Sequence, residues 1–113
     1  MKDPIESDWK KFHAMVPILR ERYLAERNAG ILRKFTDAKK TETERFWDAM
    51  EEMEIEARVL RQCLDGHSRS KMWLYLLIMA RAGMLKKEDL VGFSDELRQK
   101  VSYVFEENDS FQV

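Results

Sequence analysis

Apolar residues recur along this chain at helical spacing, and the most hydrophobic stretch is residues 72–80. This stretch contains no charged side chain: Met72, Trp73, Leu74, Tyr75, Leu76, Leu77, Ile78, Met79 and Ala80. A helix that is apolar on all sides has to be covered by other elements on most of them. We therefore predict a central helix that begins at Ser68–Ser70 and ends at Gly83, with the rest of the chain packed around it.

A first helix is predicted from apolar residues spaced three and four apart. They are Trp9, Phe12, Val16, Leu19 and Tyr23. The helix begins at either Asp3 or Ser7, both of which are suitable capping residues. Pro17 lies within the stripe and removes one backbone donor, so we expect a kink or a break near residues 13–16.

The apolar stripe of the first helix changes position after Tyr23. Arg27 and Gly30 occupy the places that would continue it. The next apolar residues, out of phase by one position, are Leu24, Ile31 and Phe35. The helix therefore either bends at residues 28–30 or changes its packing partner there. The polar residues 36–40 are predicted to form a connection.

The second helix has the most regular pattern in the chain. Thr41 and Glu44 form a capping-box sequence at its start, and Gly66 is placed to end it in the left-handed conformation. Its apolar residues follow 4-3-4-3-4 spacing, as in a coiled-coil seam. They are Phe46, Met50, Met53, Ala57, Leu60 and Leu64, with Trp47 and Val59 widening the stripe.

After the central helix, residues 86–91 are expected to hold a short extra helical turn. Ser94 is the predicted cap of a fourth helix, whose apolar positions include Leu97 and Val101. Residues 106–113 are expected to form a frayed polar tail. Residues 1–113 are therefore predicted to form a single all-α domain, a compact four-helix bundle with a kinked first helix and a central apolar third helix.

Charge alternates in sign along the chain although the net charge is only -1. The balance is +4 for residues 1–40, -5 for 41–66, +5 for 67–87 and -5 for 88–113. We expect these segments to pair by opposite charge, with the basic ends of the third helix lying against the acidic second and fourth helices. The lone cysteine and the absence of a signal sequence or a long apolar span predict a cytoplasmic protein without a membrane partner.

Two offset stripes on the first helix and seven methionines suggest more apolar surface than four helices would cover. We therefore predict a small protein-interaction module, an adaptor, regulator or subunit, that associates with a second copy as a homodimer. The candidate interface residues are Trp9, Phe12, Tyr23, Ile31, Phe35 and Trp47.

The corner before the third helix offers an alternative site. Cations in the first turn of a helix oppose its dipole, so Arg69 and Lys71 require an explanation. One explanation is pairing with acidic helices. The other is an enzyme or ligand-binding bundle that binds a phosphate or carboxylate at the helix start. Its residues would be His67, Ser68, Arg69, Ser70 and Lys71.

Other chemistries find little support in the sequence. Cys63 and His67 would need two more ligands to hold zinc, and the acidic pair Glu51 and Glu54 has no acidic counterpart on the following helix. The four glycines are too far apart for a phosphate-binding loop. Nucleic-acid binding through the first helix is disfavoured because Glu21 and Glu26 dilute its basic residues. We predict no metal, no cofactor and a binding function rather than catalysis.

Overall fold

A computed structural model describes residues 4–111 of the chain, with side chains as far as Glu106. Within this range the protein is an all-α bundle, which confirms the predicted fold class. Its helices are α1 (Glu6–Phe35), α2 (Glu42–Leu64), α3 (Met72–Arg81) and α4 (Asp95–Phe111). Two short 3-10 turns, Arg69–Lys71 and Lys87–Leu90, precede α3 and α4, and the second lies where an extra turn was predicted.

The first helix runs without interruption through Pro17 and Gly30. The predicted break near residues 13–16 is therefore wrong, whereas the kink that was its alternative stays a prediction. Phe12 and Leu19, on either side of the proline, are 0% and 1% exposed, so tertiary packing stabilises the helix across the missing hydrogen bond. The helix begins after Ile5, which makes no side-chain cap, whereas the alternative cap Asp3 lies outside the described residues.

The second helix has the predicted ends. Thr41 Oγ1 accepts a hydrogen bond from the Glu44 amide at 3.1 Å, and the Glu44 carboxylate accepts one from the Thr41 amide at 3.0 Å. At the other end Gly66 has a φ of 78°, in the left-handed region. A Cβ atom there would lie 3.1 Å from Tyr75 Oη, so both the conformation and the space favour glycine.

The central helix is α3, and its buried residues Met72, Leu76 and Met79 are each 0% exposed. It begins one turn later than predicted, because Arg69–Lys71 form a 3-10 turn first. Gly83, with a φ of 80°, allows the chain to reverse, and the amides of Met84 and Leu85 both donate to the Met79 carbonyl. The predicted stop is therefore confirmed.

The start of α4 is joined to the start of α1 through Asp8, which is 2% exposed. The Asp8 carboxylate accepts hydrogen bonds from Ser94 Oγ at 2.5 Å and from the Ser94 amide at 3.0 Å. Ser94 Oγ in turn accepts from the Leu97 amide, so it caps α4 as predicted. The backbone stays helical to Phe111, beyond the point at which a polar tail was expected.

Charge pairing is organised around α1. Arg22 makes two hydrogen bonds to Asp89, at 2.9 Å and 2.6 Å, and a third to the Met84 carbonyl. The basic ends of the third segment also contact α1: Arg69 pairs with Glu6 and Lys86 with Glu26. The expectation that these two cations pair with α2 or α4 is therefore wrong, because α1 is long enough to pass both ends of α3.

The core occupies one end of an elongated molecule of 53 × 32 × 21 Å. Phe12, Leu19 and Tyr23 of α1 pack there with Cys63 of α2 and with the buried residues of α3 and α4. The remainder of the α1–α2 hairpin extends beyond this cluster. No helix between residues 4 and 111 has both the length and the hydropathy to cross a membrane.

Candidate functional site

The extended part of the α1–α2 hairpin exposes large apolar side chains. They are Leu32 (61% exposed), Phe35 (45%), Phe46 (49%), Trp47 (62%), Met50 (37%) and Met53 (49%). Single exposed apolar residues are ordinary on protein surfaces, whereas a contiguous group indicates a binding surface. These side chains therefore indicate a binding surface if they lie on one face of the hairpin.

On α2, the side that faces α1 is marked by Ala49, Glu56 and Cys63, which are seven residues apart and all buried. The residues that follow them by one position are Met50, Ala57 and Leu64. One residue corresponds to a rotation of about 100° around a helix axis. The predicted heptad seam therefore faces sideways from the hairpin rather than into the contact with α1.

On α1, Tyr23 and Lys34 contact α2, through Glu56 at 2.5 Å and Glu52 at 3.3 Å. Leu24 and Phe35 again follow these contact positions by one residue. Because the two helices are antiparallel, the same rotation along each chain turns their stripes to the same side of the hairpin. Together they form one largely apolar surface, in which the exposed Asn28 lies between Leu24 and Ile31 on α1.

We call this surface the tip face and define it by the residues of the two stripes beyond the core. They are Leu24, Ile31 and Phe35 of α1 with Phe46, Met50 and Met53 of α2. Leu32 and Trp47 lie at its two edges, each one residue beyond a tip-face residue. The Trp47 ring packs edge-on against Phe46 with centroids 5.0 Å apart. None of the six tip-face residues is charged.

The opposite side of the hairpin is charged. A cleft of about 470 Å³ lies between α1 and α2 beyond the end of α3. Its lining consists of Glu26, Arg27, Gly30, Arg33, Lys34, Asp37 and Glu52. Basic and acidic groups are equal in number there, and Lys34 pairs with Glu52 at 3.3 Å. The positions that would have continued the first apolar stripe therefore line a polar cleft.

A buried polar cluster marks the boundary between the core and the extended hairpin. Tyr23, 3% exposed, donates to the Glu56 carboxylate at 2.5 Å, and Arg27 lies 3.6 Å from the same carboxylate oxygen. Burial, followed by the contact with Glu56, raises the pKa of Tyr23 to about 12. The cluster joins α1 to α2 at the point where α3 ends.

The structure separates the residues that were predicted as an interface. Phe35, Trp47 and the half-buried Ile31 lie on or beside the tip face. Phe12 and Tyr23 are buried in the monomer core, and Trp9 stacks on Phe12 with ring centroids 5.8 Å apart. Phe12 and Tyr23 are therefore not available to a partner, because α3 and α4 cover the first stripe of α1.

Phe46, Met50 and Met53 were predicted as part of a coiled-coil-like seam and not as candidate interface residues. Their signal was the heptad spacing, which predicts a partner helix but does not say whether that helix belongs to the same chain. Their exposure identifies them as surface residues.

At the corner before α3, Arg69 donates to Glu6 and lies over the Trp9 ring at 5.9 Å. Ser68 Oγ and Ser70 Oγ are 3.4 Å apart, and His67 Nε2 lies 2.7 Å from the Cys63 carbonyl. The residues predicted to bind an anion are thus close in space. An anion would have to compete with Glu6 for Arg69, which weakens the case for this site.

Between residues 4 and 111, no group of three or more histidine, cysteine, aspartate or glutamate side chains is arranged to hold a metal ion. Comparisons of the chain with protein families, with curated proteins and with solved structures gave no match. The tip face is consequently the feature of the described structure that carries a functional argument.

Proposed function

We propose that this protein is a helical protein-interaction module that uses its tip face to bind an α-helical partner. The observation that carries the proposal is the exposure of Phe35, Phe46, Met50 and Met53 on one side of a two-helix extension. Hydrophobic surface in water is unfavourable by about 25 cal/mol per Å², so covering it provides a driving force for association.

The kind of partner follows from the spacing of the stripe. Phe46, Met50, Met53 and Ala57 repeat every four and three residues, as the positions that receive knobs from another helix do. Methionine side chains adapt to irregular surfaces, and the aromatic rings provide large contact areas. A helix or a helical hairpin with an apolar stripe of the same spacing fits this surface.

The cysteine and histidine near the corner before α3 are in environments that favour a binding function over catalysis. Burial raises the pKa of the Cys63 thiol, which disfavours the nucleophilic thiolate. His67 is engaged with a backbone carbonyl and packs against the Tyr75 ring, with centroids 4.5 Å apart. We further propose a cytoplasmic location, since the chain has one cysteine and its side chain is buried.

The proposal is tested by an apolar fluorescent dye in dilute solution. The wild-type chain should enhance the dye fluorescence, and Met50→Glu or Phe46→Glu should reduce the enhancement strongly because each places a carboxylate in the tip face. Gln99→Glu, at an exposed position on α4, is the matched control and should behave as the wild type. Equal dye binding by all four chains, or none by the wild type, would contradict the proposal.

A further inference from the structure

We infer that the partner of the tip face is a second copy of this chain, so that two α1–α2 hairpins pack face to face as a four-helix bundle. This inference rests on the proposed function and adds the identity of the partner to it. Three features of the described residues support it: the size of the apolar surface, its lack of charge and the position of the rest of the molecule.

The size of the surface corresponds to one side of an ordinary dimer interface. Aromatic side chains cover about 150–250 Å² each, so the exposed fractions of Phe35 and Phe46 leave roughly 200 Å² of aromatic surface on the tip face. With Met50 and Met53 the total for the tip face is roughly 400 Å², to which the edge residues Leu32 and Trp47 add further exposed surface. A standard interface buries about 800 Å² per partner, of which somewhat more than half is apolar.

The absence of charged residues from the tip face is compatible with contact between two copies of the chain. In a two-fold symmetric dimer, the same patch is presented from both sides, and any charge near the axis faces a like charge. Leu24, Ile31 and Phe35 on one helix and Phe46, Met50 and Met53 on the other are all neutral. Six charged groups of the same segment, among them Arg33 and Glu52, line the cleft on the opposite side, where they would stay in water.

The geometry leaves the tip face accessible to a second copy. On α1, Leu19 packs with the residues of α3 and α4, whereas Leu24 follows five residues later and points to the opposite side of the helix. The hairpin also extends beyond the core along the 53 Å axis. Two hairpins can therefore come together without a collision between their cores.

Sedimentation equilibrium tests this inference on the full chain. The wild type should sediment with a mass twice 13.5 kDa and dissociate on dilution. Met50→Glu should raise the dissociation constant about a hundredfold or more, because it places an unpaired carboxylate in the contact. Gln99→Glu should leave it unchanged. Phe46→Glu serves as an independent second variant, and circular dichroism melts establish that each chain is folded.

The possible results separate the inference from the proposed function. A wild-type monomer at high concentration whose dye binding depends on Met50 would overturn the second copy as partner and leave the interaction module standing. A monomer that binds no dye would overturn both. A dimer that survives Met50→Glu and Phe46→Glu would place the contact elsewhere and would also overturn the inference.

Discussion

The same two helices have different surroundings in their two halves. Near the core, α1 presents Phe12 and Leu19 to α3 and α4, and both side chains are excluded from water. Beyond the ion pair of Glu26 with Lys86, α1 and α2 form a two-helix extension, in which Phe46 and Met53 are each 49% exposed. A hairpin of two helices buries one side of each helix and leaves the remaining apolar stripes open.

The comparison shows that apolar periodicity and burial are separate properties. The seam on α2 has the same 4-3 regularity along its length, yet its residues change from exposed at Phe46 to half-buried at Leu60 and Leu64. Leu60 and Leu64 pack against the core cluster, whereas Phe46, Met50 and Met53 lie beyond it on the side of the hairpin that faces away from α3 and α4. The tip face is open because α3 and α4 pack on the other side of the hairpin.

The largest expected difference between the two halves is in the cost of removing a methionine side chain. Met79→Ala, at 0% exposure, should lower the free energy of unfolding by about 2–5 kcal/mol, because it leaves a cavity in the core. Met53→Ala makes the same chemical change at 49% exposure and should cost less than about 1 kcal/mol. Urea unfolding in dilute solution measures both. Equal losses would show that the tip face is packed within the monomer.

A smaller effect is expected at the boundary between the halves. Tyr23→Phe removes the donor to the buried Glu56 carboxylate and should cost about 1–3 kcal/mol of stability at neutral pH. Tyr103→Phe, at a position 45% exposed, is the matched control and should cost little.

The pH dependence gives a second measurement of the same contact. The folded chain raises the pKa of Tyr23 from 10.0 to about 12, so it holds the phenol proton more tightly than the unfolded chain does. This stabilisation is complete below pH 10 and is lost as the pH rises towards 12. Urea unfolding across this range should show a decline that is weaker in Tyr23→Phe. An identical decline in both chains would assign it to other groups.

The smallest expected changes in stability come from two glycine-to-alanine substitutions, one in each half, and they have opposite signs. Gly66→Ala should destabilise the protein by about 1 kcal/mol, because φ is 78° and the new Cβ would crowd Tyr75. Gly30→Ala, within the extended part of α1, meets only Arg33 at 3.5 Å and should stabilise by about 0.5–1 kcal/mol through helix propensity. Thermal melts measure both changes. Destabilisation by Gly30→Ala would indicate a close contact at the cleft.

The local features of the fold were predictable because they depend on neighbouring residues. Thr41 and Glu44 form the predicted capping box, Gly66 and Gly83 adopt the left-handed conformation at helix ends, and Ser94 caps α4. Each feature follows from a side chain or a missing Cβ acting within a few residues. At Pro17 the alternative of a break was wrong, because packing on both sides of the proline keeps the helix continuous.

The sequence alone determined that the chain is helical, where its helices change direction and which residues make each stripe. The tertiary structure decided which stripes lie inside. Helical periodicity records that a residue needs an apolar neighbour, but it carries no information about which chain supplies that neighbour. Phe12 and Tyr23 are buried in the core with residues of α2, α3 and α4, whereas Phe46, Met50 and Met53 lie on the other side of the hairpin and remain exposed.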